Sequence, residues 1–340
     1  MANMNISTPR FYTDIVNFLM SRGLEQDGNF DVITGSNLIG VQTGSEAELF
    51  DMRPLNKVDF NTSAATSDHV LVNIDTQSTS TKKSFVAILN HNMASADAKV
   101  LIKASNTESH VQAVNMGSAT AMDTPAEVVN ANAIASSIVT PDSDGSTIVK
   151  FAEQSLRYWG IQFEGNSSNT FSSTDLFVGC ILIGEYYEMP HAPDLNVTRM
   201  ISYNRLNDLQ ESHGGQRFSN LKSYGRTAES TSKSPFTTAS NGYDSQGGRL
   251  IYDMNFSFID ATDLMPDEYD IIADDDNFVD DVWNKTNGNH IPFIFSIDKS
   301  SEEDNAESEH VFGRFANNSL DMTQVAPNVF NISLTVEEEF

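Results

Sequence analysis

Two stretches decide the fold. One is Ser84-Phe85-Val86-Ala87-Ile88-Leu89-Asn90-His91-Asn92-Met93. The other is Arg157-Tyr158-Trp159-Gly160-Ile161-Gln162-Phe163, continued by Leu176-Phe177-Val178-Gly179-Cys180-Ile181-Leu182-Ile183-Gly184-Glu185. Each is too apolar for a loop and too short for a bilayer span, which takes about 20 residues. They read as central strands of a β-sandwich. Working outward, residues 31–36, 53–60, 68–75, 98–105 and 146–151 are further candidate strands with turn residues between them. Regularly spaced short strands of this kind predict a sandwich or jelly roll. In Val70-Leu71-Val72-Asn73-Ile74 the apolar residues at 70, 72 and 74 share one face, while Leu71 and Asn73 predict a second face that is partly wet.

Residues 106–145 are mostly small and polar and predict a long excursion with a short helix near 125–135. Met189-Pro190-His191-Ala192-Pro193 is the best boundary, because two prolines end any strand ladder. Beyond it, residues 199–207, 249–259, 290–297, 310–315 and 329–336 form a second β set. In 249–259, Leu250, Tyr252, Met254, Phe256 and Phe258 alternate with Ile251, Asp253, Asn255 and Ser257. Residues 226–248, rich in Ser, Thr and Gly, read as a mobile loop. Residues 8–22 predict a helix: Thr8 as cap, Pro9 at the first position, Phe11, Ile15, Phe18 and Leu19 on one face, and Gly23 as the stop. The expected fold is mainly β: an N-terminal helical arm (1–29), a jelly-roll β-sandwich (30–190) and a second β-sandwich domain (191–340).

The 340 residues include 47 acidic and 20 basic ones, a formal charge of −27. A surface this negative repels phosphate backbones and anionic lipid, so neither nucleic acid nor membrane is expected as a partner. The single cysteine, Cys180, lies in an apolar run and predicts a buried, inert thiol. Met1-Ala2-Asn3-Met4-Asn5 lacks a signal-peptide pattern. The expectation is a protein made in a reducing cytoplasm.

No phosphate-binding glycine loop, dinucleotide fingerprint, zinc-protease motif or paired-cysteine metal signature occurs. Asp274-Asp275-Asp276 with Asp280 and Asp281 could form a calcium site or a solvated acidic loop; the spacing lacks the alternating ligands and turn glycine of an EF-hand, which favours the loop. Asp142-Ser143-Asp144-Gly145 reads as a turn. His91 reads as a structural histidine bonded to nearby backbone, and His213, before Gly214-Gly215, as part of a turn. Tyr158, Trp159, Tyr186 and Tyr187 are candidates for a glycan-stacking platform, set against core and interface roles. No catalytic, cofactor-binding or metal-ligating residue is assigned.

His91-Asn92-Met93, Tyr158-Trp159 and Ile183-Gly184 resemble a module of tailed-bacteriophage virion proteins. There an apolar strand ends in a His-Asn-Leu-like tripeptide, a later strand begins Tyr-Trp, and a third ends in an aliphatic-Gly pair. The module is similar to a galactose-binding-like jelly roll. Two positions depart from it: Asn90 replaces a usual Gly, an expected change of turn, and Gly160 replaces a usual Arg, an expected loss of a surface contact. Pro292-Phe293-Ile294-Phe295, Phe312-Gly313-Arg314-Phe315 and the final Thr335-Val336-Glu337-Glu338 resemble the close of phage tail-tube and distal-tail subunits.

The resemblance implies a structural, non-enzymatic subunit of a phage virion: a tube, adaptor or tip component forming a homo-oligomeric ring with its own copies and touching other tail or capsid proteins. It would be made in the host bacterial cytoplasm. The alternative is a capsid-surface decoration or receptor-binding protein whose jelly roll touches a host surface glycan. A polysaccharide hydrolase is a third class, but no pair of carboxylates across a cleft can be picked out of the sequence.

Overall fold

Alternating apolar side chains and short punctuated runs build antiparallel sheets, and the chain is mainly β with a sandwich-like arrangement. The structure, a computed structural model, describes residues 6–23, 29–63, 68–122, 125–131, 133–135, 137–166, 170–202, 209–219, 235–236, 249–267, 276–303, 306 and 309–339. The expected loop at 226–248 falls almost wholly outside them.

One long sheet organises the molecule. Its strands run in the order Thr198–Ser202, Arg249–Asp260, Val329–Glu338, His310–Phe315, Phe293–Ser296, Arg10–Asp14, Cys180–Glu188, Lys83–His91, Gly145–Gln154 and Ala126–Val129, with Thr323–Ala326 pairing beside Val329–Glu338. A second sheet, centred on Tyr158–Gly165 between Ala98–Ser105 and Val70–Asp75, packs on the Lys83–His91 side of the first. The core between them holds Val72, Ile74, Ile88, Ile102, Trp159, Ile161, Phe163 and Ile183. A separate core under the other end of the long sheet is rich in aromatics: Phe11, Tyr252, Phe256, Phe278, Phe293, Phe295 and Phe315.

The strand Arg10–Asp14 (β1) joins these two ends. It pairs with Cys180–Glu188 on one side (Tyr12 opposite Tyr186) and with Phe293–Ser296 on the other (Tyr12 opposite Ile294). The sheet is therefore continuous past residue 190. The expected helix over 8–22 is accordingly shorter. Its helical part is Ile15–Ser21 (α1), and Asp14 rather than Thr8 caps it, accepting from the Asn17 backbone N–H at 2.7 Å. Residues 10–14 are strand because two open strand edges, remote in sequence, satisfy their backbone groups on both sides. A Cβ at Gly184 would collide with the Thr13 carbonyl, so this crossing requires glycine.

Three further expectations change. The helix near 125–135 is instead two strands, Ala126–Val129 and Ala133–Ala135. Leu71 and Asn73 are not wet, because the excursion folds over them and packs Val111 and Met116 against Leu71. Phe258 points outward and Ile259 inward: the strand has a bulge between Phe256 and Ile259, and Phe258 adopts a left-handed φ of 66°.

Candidate functional site

The four candidate aromatics do not form one platform. Trp159 is fully buried; its Nε1 donates to the Leu156 carbonyl at 2.9 Å and its ring stacks on Phe151 with centroids 5.5 Å apart. Tyr158, half-buried, lies under the Arg157 guanidinium at 4.8 Å, and Arg157 forks onto Asp75 with two bonds of 2.7 Å. Both belong to the second sheet. Tyr186 and Tyr187 sit in the long sheet on opposite faces. Tyr186 meets Tyr12 and the Arg10 guanidinium (4.9 Å), while the Tyr187 hydroxyl donates to the Asp263 carbonyl at 2.9 Å beside Phe278.

Tyr186 and Tyr187 do meet in a groove of about 230 Å³, together with Glu153, Glu185, Glu188, Asp263, Asp276 and Asp281. It forms where the pairing of Cys180–Glu188 with Lys83–His91 ends at Gly184, leaving the last residues of the strand with an open edge. The carboxylates have protein cations against them. Lys285, on the turn after the π-helical segment Val279–Asn284, reaches Asp281 at 2.9 Å and Glu185 at 3.2 Å. Lys82 meets Asp276 at 3.0 Å and Glu153 at 3.7 Å. Burial opposes the Lys285 charge, but Asp281 and Glu185 more than offset it and hold the ammonium above its ordinary pKa. Burial pushes the Glu185 and Asp281 carboxyls up, against the pull of Lys285. Thr13 of β1 completes the junction, its hydroxyl donating to the Asp281 carbonyl at 3.0 Å.

A second ionic cluster lies at the start of β1. Arg10, only 4% exposed, holds Glu188 (2.7 Å), Glu302 (2.8 Å) and the Tyr12 hydroxyl (3.0 Å); Lys150 also bonds Glu302, and Lys299 bonds Glu188. Burial works against the Glu188 and Glu302 charges, yet these cations hold both carboxyls below the usual range. Burial pushes Tyr12 up to about 12. Asp14, at the other end of the strand, is pushed up to about 6 by burial, although it accepts from Asn17 and Ile183. Both clusters are fastenings between the two ends of the long sheet. The sequence reading missed Arg10, Glu185, Glu188, Lys285 and Glu302; only Asp281 and Lys285, one helical turn apart, left a local signal.

Of the acidic run, Asp274 and Asp275 fall outside the described residues. Asp276, Asp280 and Asp281 are taken up by Lys82, Asn284 and Lys285. Among the described residues no His, Cys, Asp and Glu group has metal-binding geometry. Asp144 anchors its turn to Ser95, and His213 sits in an exposed turn closed by Gly215 and Ser212. His91 is buried: its Nδ1 accepts from the Met93 N–H (3.2 Å), so Nε2 carries the proton and donates to Thr147 Oγ1 (2.8 Å). Burial pushes its pKa down to about 3 and keeps it neutral. Cys180 is fully buried, and burial raises its thiol pKa.

The other notable surface is the far end of the long sheet. Thr198–Ser202 pairs with Arg249–Asp260, and its opposite edge has no strand partner among the described residues. It carries Met200 (40% exposed) and Ile201 (60%); Leu195, just before this strand, and Phe258, further along Arg249–Asp260, are exposed as well. Asp194 ties Leu195 to this end, since its N–H donates to the Asn255 carbonyl and its carboxylate accepts from Ser257.

No protein-family model matches the chain, and no curated protein is significantly similar to it. One solved structure is weakly similar: chitosan-binding module 1 from a chitosanase/glucanase of Paenibacillus sp. IK-5, at 15% identity and a TM-score of 0.28, over 46% of this chain and 92% of that one. A likeness at that level carries no argument.

Proposed function

We propose that the chain is a structural, non-enzymatic subunit of a tailed-phage virion, a tube, adaptor or tip component that forms a homo-oligomeric ring and contacts other virion proteins. The observation that carries this reading is the open end of the long sheet. A strand edge that is unpaired among the described residues and carries exposed Met200 and Ile201 is a template for adding a strand from a neighbour. The rest of the molecule fits a building block, because its buried ion pairs and the crossing strand β1 fasten the two ends of one sheet.

Of the residues that resemble the phage module, all but the half-buried Tyr158 lie in the core. Asn90 stands where the module has Gly and adopts a left-handed φ of 52°, with its Nδ2 bonded to the Pro54 carbonyl. That conformation is the one a glycine supplies, so the departure keeps the turn. Gly160 faces Val111 and Met116, and a side chain there would strike Met116 Sδ; no surface contact is lost at this position. Immunolabelled particles viewed by negative stain test the reading. A ring of fixed copy number on the tail supports it, and absence of the chain from purified particles overturns it.

A further inference from the structure

We propose that a second pocket, of about 310 Å³ between α1 and the turn that follows the π-helical segment, is a carbohydrate subsite for an acidic sugar residue of the uronate class. The inference does not depend on the virion reading. The volume is at the small end of ligand pockets, about 300–1,000 Å³, and suits a single sugar unit.

Four carboxamides line the pocket: Asn284, Asn287, Asn289 and Asn318. Three are fixed in orientation by one hydrogen bond each. The Nδ2 of Asn284 donates to Asp280 (2.9 Å), that of Asn287 to Ser21 Oγ (2.7 Å), and that of Asn289 to Asn318 Oδ1 (3.0 Å). Each bond uses a donor and leaves the Oδ1 of Asn284, Asn287 and Asn289 without a partner among the described residues. Three fixed acceptors call for a ligand rich in O–H donors. A bare phosphate or sulfate would leave them unmatched.

Two further groups narrow the class. Trp283, half-buried against Phe315 (5.3 Å), gives the pocket an apolar wall of the kind that takes the C–H face of a sugar ring. The backbone of Gly288, at φ 67°, lies so close over the indole that a Cβ would come within 3.3 Å of it; with Asn287 at φ 49° this tight turn presents the amides beside the ring. Arg22 supplies charge. In a chain with 47 acidic and 20 basic residues, it makes no ion pair among the described residues and rests over Phe18 at 5.1 Å. A guanidinium beside amide acceptors and an indole fits a polyol that carries a carboxylate.

Intrinsic fluorescence tests this on the full chain, because the second tryptophan, Trp159, is wholly buried. D-Galacturonate and D-glucuronate trisaccharides and their neutral counterparts are the probes. The expected result is a saturable change in emission, with acrylamide protection, that favours the uronates. Arg22→Gln should weaken uronate binding at least tenfold and leave the neutral sugars unchanged; Asn318→Ala should weaken both. Both residues are exposed, so an unchanged Tm separates lost binding from lost folding. No saturable response to either uronate, equal binding of neutral sugars, or a uronate response unmoved by Arg22→Gln would overturn the assignment.

Discussion

The two ends of the long sheet solve the same problem differently. In Lys83–His91 all nine residues are buried, because the second sheet covers one face and a further apolar cluster covers the other. In Arg249–Asp260 the buried positions alternate, Tyr252, Met254 and Phe256 inward with half-exposed neighbours between them, and the strand beyond it is almost wholly exposed. At the first end both faces are covered, while its terminal strand, Ala126–Val129, pairs on one side only among the described residues. The second keeps one face half-exposed and, among the described residues, one strand edge unpaired.

The sharpest break in that contrast comes from the covered end. Trp159→Ala should lower stability by about 3–5 kcal/mol, the range for truncating a fully buried aromatic. Urea unfolding followed by circular dichroism measures it; a loss under 1 kcal/mol would mean that Trp159 is not core.

Next is the fastening between the ends. Lys285→Met leaves Glu185 and Asp281 buried without their cation and should cost about 3 kcal/mol. The double change with Glu185→Gln should recover part of that loss, which thermal melts of the two variants would show.

A smaller effect is a pH dependence at the β1–α1 junction. The folded-state pKa of Asp14, pushed up to about 6, lies above the ordinary value of 3.8. Between these values the folded chain binds more proton than the unfolded one, so this group's contribution falls as pH rises through about 4 to 6 and is level above that. Asp14→Asn should flatten the slope: wild type minus variant stability should be about 1–3 kcal/mol more favourable at pH 4 than at pH 7. Calorimetry at both pH values checks the sign, and a difference that grows with pH refutes it.

How much of this was legible in the sequence follows from how local each signal is. The strands 98–105, 158–165 and 310–315 stand where their apolar alternation puts them. β1 was not legible. Thr8-Pro9 and the spacing of Phe11, Ile15, Phe18 and Leu19 are helix signals, and the strands that capture residues 10–14 lie at 184–188 and 294–296. Phe258 fits the alternation of its strand, and only the bulge turns it out. The groove joins Glu185 to Lys285 across 100 positions, which no local pattern could have revealed. Of the candidate platform, Tyr186 and Tyr187 line one groove from opposite faces of their strand, while Trp159 went to the core as an apolar ring on an inward strand position must.

The smallest predicted effect on folding is at the open edge. Ile201→Glu, at a site 60% exposed, should change the stability of the single chain by less than about 0.5 kcal/mol. Its effect on association decides the central claim. Sedimentation velocity of the wild type over a range of concentrations should show a closed oligomer several times the 37.4 kDa chain mass, and Ile201→Glu should return it to that mass with its Tm unchanged. A wild type that sediments as a single chain at every concentration, or an oligomer that Ile201→Glu leaves intact, would contradict the account.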